Sequence, residues 1–333
     1  MDTPSAPKRW RKTIVAIVIA SAVLGAAEAG ARYLRLTPDP WTAVQTLWAG
    51  VGLPELATVL EPDPVLLWRV RRGLERAEVK GYLAREHVSF RVSTDEHGFR
   101  TSANASAGSE PAVLVLGDST AFGVGIEAEE TYAARLDELL PAARVLNGAI
   151  PSGTAYQARR LLEQAGVDPA CVVACIGTAA GDASWLENLT DPELARFETS
   201  RRRWQSTCGL YFLLVHDFPT DRYRRGQLQR RSRLSPPELV DEVTGLAGWC
   251  TSRDIPVILM SWIEKGQKVH TEYQTYVTDL AESEELRLLD VFEVLKNRDP
   301  DRLFIDAFHL RPEGHALVAE SLAPLVERAL GTE

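Results

Sequence analysis

Cysteine is scarce in this chain: four residues, Cys171, Cys175, Cys208 and Cys250, among 333. That excludes a disulfide-built scaffold. Cys171 and Cys175 belong to one apolar run, Cys171-Val172-Val173-Ala174-Cys175-Ile176, which reads as a strand. Four positions along a strand span roughly 13 Å, too far for a bridge between them. A Cys208–Cys250 bridge stays open. No cysteine or histidine spacing suggests zinc, no P-loop pattern is present, and neither a metal nor another cofactor is expected. Net positive charge is also lacking, and a formal charge of −9 argues against general nucleic-acid binding. Internal repeats and low-complexity tracts are missing. What remains is ordinary globular composition, 45% hydrophobic and 25% charged, enough for one large or two modest domains.

The most informative stretch runs Ala112-Val113-Leu114-Val115-Leu116-Gly117-Asp118-Ser119-Thr120-Ala121-Phe122-Gly123. An apolar run ending in Gly fits a strand buried on both faces. From Glu129 onward, Tyr132, Leu136, Leu139 and Leu140 recur at helical spacing. Ser119 therefore follows the C-terminal end of a buried strand, where open α/β sheets place their chemistry. Asp118 and Ser119 read equally well as turn and cap residues. Gly123-Val124-Gly125-Ile126-Glu127-Ala128 fits a dinucleotide pattern, but it lies beyond the strand end instead of directly after it.

A second stretch, Phe304-Ile305-Asp306-Ala307-Phe308-His309-Leu310-Arg311-Pro312-Glu313-Gly314-His315, sets Asp306 three residues before His309. Pro312 can start a helix there. A serine, an aspartate and a histidine at such junctions are the parts of a nucleophilic triad. Gly117-Asp118-Ser119 with the late Asp306-x-x-His309 and Pro312-Glu313-Gly314-His315 resembles the SGNH/GDSL hydrolase family. The pattern differs from the G-x-S-x-G elbow of α/β-hydrolases, because position 121 is Ala and because Asp and His share one loop. The resemblance implies Ser119 as nucleophile, His309 as base and Asp306 as its orienting carboxylate. His315 would have a structural role.

From Glu110 strands and helices alternate. Strands are predicted near Ala112–Leu116, Arg144–Leu146, Cys171–Ile176, Val257–Met260 and Leu286–Leu289. Helices are predicted near Glu129–Leu140, Thr154–Ala165, Pro236–Cys250, Thr271–Ser283 and Pro312–Leu330. This is the pattern of a parallel sheet covered on both faces. The resemblance implies a flavodoxin-like three-layer α/β/α sandwich with a five-stranded parallel sheet in the order 2-1-3-4-5.

Outside the core, residues 1–12 form a basic tail containing Lys8-Arg9-Trp10-Arg11-Lys12. Residues 13–34 then read as an uncleaved membrane anchor or as a signal peptide with a cleavage site at Ala27-Glu28-Ala29. In either case the positive flank stays cytoplasmic and the rest lies outside the cytoplasm. Residues 35–109 form an N-terminal appendage, with a helix over Trp41–Leu60, a break at Glu61-Pro62-Asp63-Pro64, and strands at Val65–Val70 and Val88–Val92. Its Thr94-Asp95-Glu96-His97-Gly98-Phe99-Arg100 resembles a segment that precedes the Gly-Asp-Ser block in membrane-anchored family members, with His97 read as a turn residue. Residues 110–333 would be the catalytic domain. Within it, residues 184–235 interrupt the rhythm with Trp185, Trp204 and many arginines, and read as a cap over the site or as a solvated basic face.

The family stabilises the tetrahedral oxyanion with the serine N–H, a glycine N–H in a second block and an asparagine amide in a third. Here these fall on Ser119, on Ala149 of Leu146-Asn147-Gly148-Ala149-Ile150-Pro151, and on Ala179 of Ile176-Gly177-Thr178-Ala179. Ala149 keeps a backbone donor; Ala179 has no amide to offer. Losing one such donor costs on the order of 3–4 kcal/mol in comparable sites. The implied function is a serine esterase acting on an acylated glycan, a lipid or a small ester. A glycan-binding pseudoenzyme and an acyltransferase to a sugar are the alternatives.

Overall fold

The computed structural model describes residues 7–33, 45, 48–49, 52–102, 111–176, 190–196 and 232–332. Two compact units divide the chain: Met1–Asp39 with Arg196–Gln229, and Pro40–Ala195 with Arg230–Glu333. In the first, the described element is helix α1, Pro7–Tyr33. Its stretch Lys12–Gly30 is 19 residues long and apolar enough to cross a membrane. Ile14, Val18, Val23 and Leu24 are all exposed on it.

In the second unit, β1 (Leu60–Asp63) and β2 (Leu67–Val70) form a two-stranded antiparallel ribbon. The expected break at Glu61-Pro62-Asp63-Pro64 is therefore partly strand. Pro62 is tolerated because the ribbon has only two strands, so its missing N–H interrupts no central ladder. The strand expected from Val65 starts two residues later, since Asp63 Oδ1 accepts from the N–H groups of Val65 and Leu66 and makes a turn. Of the helix expected over Trp41–Leu60, residues 41–44, 46–47 and 50–51 lie outside the described residues; Gln45, Trp48 and Ala49 are helical, and Pro54–Val59 is a 3-10 helix.

Next come β3 (Ala77–Leu83), β4 (Glu86–Thr94), β5 (Arg100–Thr101) and β6 (Ala112–Gly117). A single turn of helix, α2 (Ser119–Phe122), follows β6. The remaining elements alternate: α3 (Tyr132–Leu139), β7 (Arg144–Asn147), α4 (Ala155–Gln164), β8 (Cys171–Cys175), α5 (Pro236–Thr251), β9 (Val257–Ser261), α6 (Glu272–Ser283) and β10 (Arg287–Asp290). Then α7 (Val291–Leu295), α8 (Pro300–Leu303) and α9 (Pro312–Leu330) complete the chain. The helix expected from Glu129 is divided: Ala128–Glu130 is 3-10, and Thr131 then caps α3 through its hydroxyl.

One sheet runs β10-β9-β8-β6-β7-β5-β4-β3. Its five strands β10, β9, β8, β6 and β7 are parallel, and counted along the chain they have the flavodoxin-like order 2-1-3-4-5. The sheet extends further than the sequence predicts: β5, β4 and β3 continue it as antiparallel strands. Residues read as an appendage thus form one edge of the same sheet. The core lies around β6, where Val113, Leu114, Val115 and Leu116 are all fully buried. Order reverses between β6 and β8, which pair from Val113↔Cys171 to Gly117↔Cys175. That switch point opens a crevice at the strand C-termini, and Ser119 stands there.

Candidate active site

Gly117 ends β6 because nothing larger fits: a Cβ there would lie 2.6 Å from the Cys175 carbonyl oxygen and 2.7 Å from Ala121 Cβ. Asp118 caps α2, accepting from the Thr120 N–H at 2.8 Å and the Thr120 hydroxyl at 2.6 Å. Its pKa is raised by burial, against the pull of those Thr120 bonds and of the His309 and Arg233 charges. Ser119 is the first residue of the helix and is half-buried. Gly123, at φ +83°, ends the turn and donates to the Ser119 carbonyl.

Asp306 and His309 occupy the loop between α8 and α9. The loop is tied down at Ile305 N–H to His309 O (2.8 Å), Trp262 Nε1 to Phe308 O (3.0 Å) and Lys265 N–H to Ala307 O (2.8 Å). Asp306 Oδ1 accepts from the N–H groups of Phe308 and His309, while Oδ2 lies 2.8 Å from His309 Nδ1. His309 Nε2 is 2.9 Å from Ser119 Oγ. Residues 190 positions apart in sequence are thereby joined in one chain of hydrogen bonds. Burial alone would raise the Asp306 pKa. The hydrogen bond and charge of His309, with the two backbone donors, outweigh it and lower the pKa. An ionised Asp306 holds the proton on Nδ1 and leaves Nε2 free to accept from the serine hydroxyl.

The second-block residues bend round this turn. Ile150 N–H donates to Gly117 O at 2.9 Å, and Asn147 Nδ2 donates to Ala121 O at 3.2 Å. Ala149, the expected backbone donor, gives its N–H to Asn147 Oδ1 at 3.2 Å. Residues 150–153 form a turn closed by Gly153 N–H to Ile150 O at 2.7 Å. Ser152 stands at its left-handed position, φ +58°, after Pro151, the pattern of a type II turn. Among the described residues, the N–H groups of Ser119 and Ser152 have no acceptor. Ala179 lies outside the described residues, as do most of residues 184–235 and Cys208. Cys171, Cys175 and Cys250 are free buried thiols; burial pushes Cys171 and Cys250 up to about 12.

Sequence reasoning missed the support of the Ser152 turn. Trp68 Nε1 donates to Pro151 O at 3.1 Å, and Arg233 donates to Ser152 O. Arg233 also pairs with Asp191 at 2.8 Å, and both side chains are almost fully buried. Arg233 is one arginine in a run of many, so the sequence does not single it out. Pro151-Ser152-Gly153, by contrast, carries a turn signal that marks the left-handed residue.

His315 lies behind the site. It is buried, and its Nδ1 accepts from the Tyr132 N–H at 3.1 Å. Burial, helped by the charges of Arg100 and His309, lowers its pKa from 6.5 to about 3. Below pH 6.5 the unfolded chain therefore binds a proton that the folded chain refuses, and stability falls as pH drops from 6.5 toward about 3. His315→Gln is expected to flatten that limb in urea unfolding midpoints measured against pH. An identical acid limb in the variant contradicts this assignment.

No protein-family model matches the chain, and no curated protein matches it. Solved structures are similar to it. A lipolytic protein of the G-D-S-L family from Desulfitobacterium hafniense is 15% identical, covering 65% of this chain and 99% of its own, at a TM-score of 0.42. TesA is 17% identical, covering 66% and 99%, at 0.44. Axe2, an acetylxylan esterase from Geobacillus stearothermophilus, is 20% identical, covering 68% and 96%, at 0.42. The order 2-1-3-4-5 of the chain's own five parallel strands is the one that the resemblance of its motifs to the SGNH/GDSL hydrolases implies.

Proposed function

We propose that this chain is a serine esterase that works through an acyl-enzyme. The observation that carries the reading is the relay from Ser119 Oγ through His309 to Asp306, at 2.9 and 2.8 Å. His309 Nε2 takes the hydroxyl proton as Ser119 Oγ attacks the acyl carbonyl carbon. The tetrahedral intermediate collapses, the C–O bond to the alcohol breaks, and His309 returns the proton to the departing oxygen. Water then attacks the acyl-serine with His309 again as base, releasing the acid and restoring Ser119. Ser119 N–H is one donor for the oxyanion. The second is the N–H of Ala149, held by Asn147 Oδ1 at 3.2 Å, or that of Ser152, which has no acceptor among the described residues.

The substrate is an acylated glycan, a lipid or a small ester; among the similar solved structures are a lipolytic protein and an acetylxylan esterase. Helix α1 serves as an anchor or signal sequence that sets the catalytic domain outside the cytoplasm. The test is release of acid from p-nitrophenyl acetate and from acetylated xylan, with products also analysed in the presence of a free sugar. Acid in both cases is expected. An acylated sugar would make it a transferase, and no turnover of any ester would overturn the reading. A glycan-binding pseudoenzyme has one observation in its favour, the alanine at position 179. On the esterase reading, Ala179→Asn raises kcat on p-nitrophenyl acetate by up to about 10²-fold, the scale of one oxyanion donor. An unchanged kcat removes the idea that this position limits the enzyme.

A further inference from the structure

Ser119 heads a helix of four residues, too short to hold itself. Its last carbonyl, that of Phe122, and those of the chain leaving it need partners from elsewhere, and one side chain supplies them. Arg100 donates through Nη1 to the carbonyl oxygens of Phe122 (2.7 Å) and Gly123 (2.8 Å), and through Nη2 to that of Ile126 (2.8 Å). A fourth bond, Nη2 to Arg91 O at 3.1 Å, ties the same guanidinium to β4. Its Cζ lies 4.9 Å from the Phe122 ring centroid and 5.5 Å from that of Phe90. Arg100 is only 5% exposed, and it forms no ion pair with a carboxylate among the described residues. Burying a charge against neutral carbonyls is an expensive way to fill space. A neutral residue could pack there, but it could not join the Phe122 and Gly123 carbonyls at the end of the turn to that of Ile126 four residues on.

We propose that Arg100 is a positioning residue for the nucleophile. By clamping the exit of α2, it fixes Ser119 Oγ at the distance His309 requires. The inference rests on the esterase reading and deepens it. Two further contacts from the same N-terminal segment reach the other site loops. Glu86, at the start of β4, forms a two-pronged pair with Arg311, two residues past His309. Trp68 holds Pro151 in the Ser152 turn. The segment ahead of the Gly-Asp-Ser block thus braces every described loop of the site, with Arg100 under the nucleophile itself.

The experiment compares full-length Arg100→Met and Arg100→Lys with Val326→Ala, a cavity variant at a fully buried position near the C-terminal end of α9. Arg100→Met is expected to lower kcat on p-nitrophenyl acetate by about 10²-fold with KM little changed, the scale of an ångström-sized misplacement. Arg100→Lys, which keeps the charge but not the fork, recovers part of the loss. Val326→Ala keeps the wild-type kcat at a comparable unfolding midpoint. A wild-type kcat in Arg100→Met, or equal losses in Arg100→Met and Val326→Ala, overturns the proposal. If Arg100→Met does not fold, Arg100→Lys alone carries the test, and a wild-type kcat in it has the same force. The His309 imidazole ¹⁵N signals give a readout independent of turnover. Their hydrogen-bonded pattern should be lost in the Arg100 variants and kept in Val326→Ala. Absence of turnover in the wild type counts against the esterase reading, while unchanged ¹⁵N signals in the Arg100 variants count against this one.

Discussion

Replacing Ser119 with alanine is expected to lower ester turnover by about 10⁶-fold, the scale seen when a serine hydrolase loses its nucleophile. Among the described residues, the Ser119 hydroxyl is the one oxygen bonded to His309 Nε2, at 2.9 Å. His309→Ala should reduce turnover by a similar factor, because the two groups act as one unit. The Ser119→Ala/His309→Ala double variant should then be scarcely worse than either single one. Additive losses would mean that the two side chains act separately, whatever their distance. Steady-state kinetics on a chromogenic acetate ester measures all three.

Asp191→Ala should destabilise the second unit by about 3–5 kcal/mol. Arg233 and Asp191 are 1% and 4% exposed at the side chain. Asp191 also accepts from the Thr154 hydroxyl at 2.8 Å, and its own N–H donates to Arg233 O at 2.7 Å. Removing the carboxylate takes from the buried Arg233 guanidinium its ion-pair partner at 2.8 Å. The pair itself contributes less than its rupture removes, because both ions lose water on burial. The double variant Asp191→Leu/Arg233→Met should therefore be more stable than Asp191→Ala alone. Chemical denaturation decides between this and a double variant that loses the sum of two single effects. Because Arg233 holds the Ser152 carbonyl, Asp191→Ala also loosens the turn that carries the second uncommitted N–H.

The central parallel strands β6, β8 and β9 were legible because a strand buried on both faces leaves an uninterrupted apolar run, as in Ala112–Leu116 and Cys171–Ile176. The helix starts were legible through their caps: Ser235 with Glu238, and Pro312. Strand β3 was not, because it lies at the edge of the sheet, where Glu78 and Lys80 face water and Gly81 interrupts the alternation. Gly81 is there for a close approach: a Cβ would meet the Gly52 carbonyl oxygen at 2.2 Å.

At the site, Ser119, Asp306 and His309 stood out because short motifs fix their spacing within each loop. Their convergence depends on the sheet order, which sequence supplies only through resemblance. Arg100 was visible in the Gly98-Phe99-Arg100 segment, but its role depends on carbonyl oxygens more than 20 positions away, and carbonyls leave no mark on a sequence. The unpartnered N–H of Ser152 escaped for the same reason. Whether a backbone N–H is free is a property of the turn, as the contrast between Ala149 and Ser152 makes plain.

The central claim is that Ser119 is a nucleophile activated by His309. Its most direct measurement is peptide mapping by mass spectrometry after exposure of the full-length protein to a fluorophosphonate. The account predicts one phosphonylated residue, Ser119, with labelling absent in Ser119→Ala and strongly slowed in His309→Ala. An adduct on another residue, or equal labelling of wild type and Ser119→Ala, would contradict it.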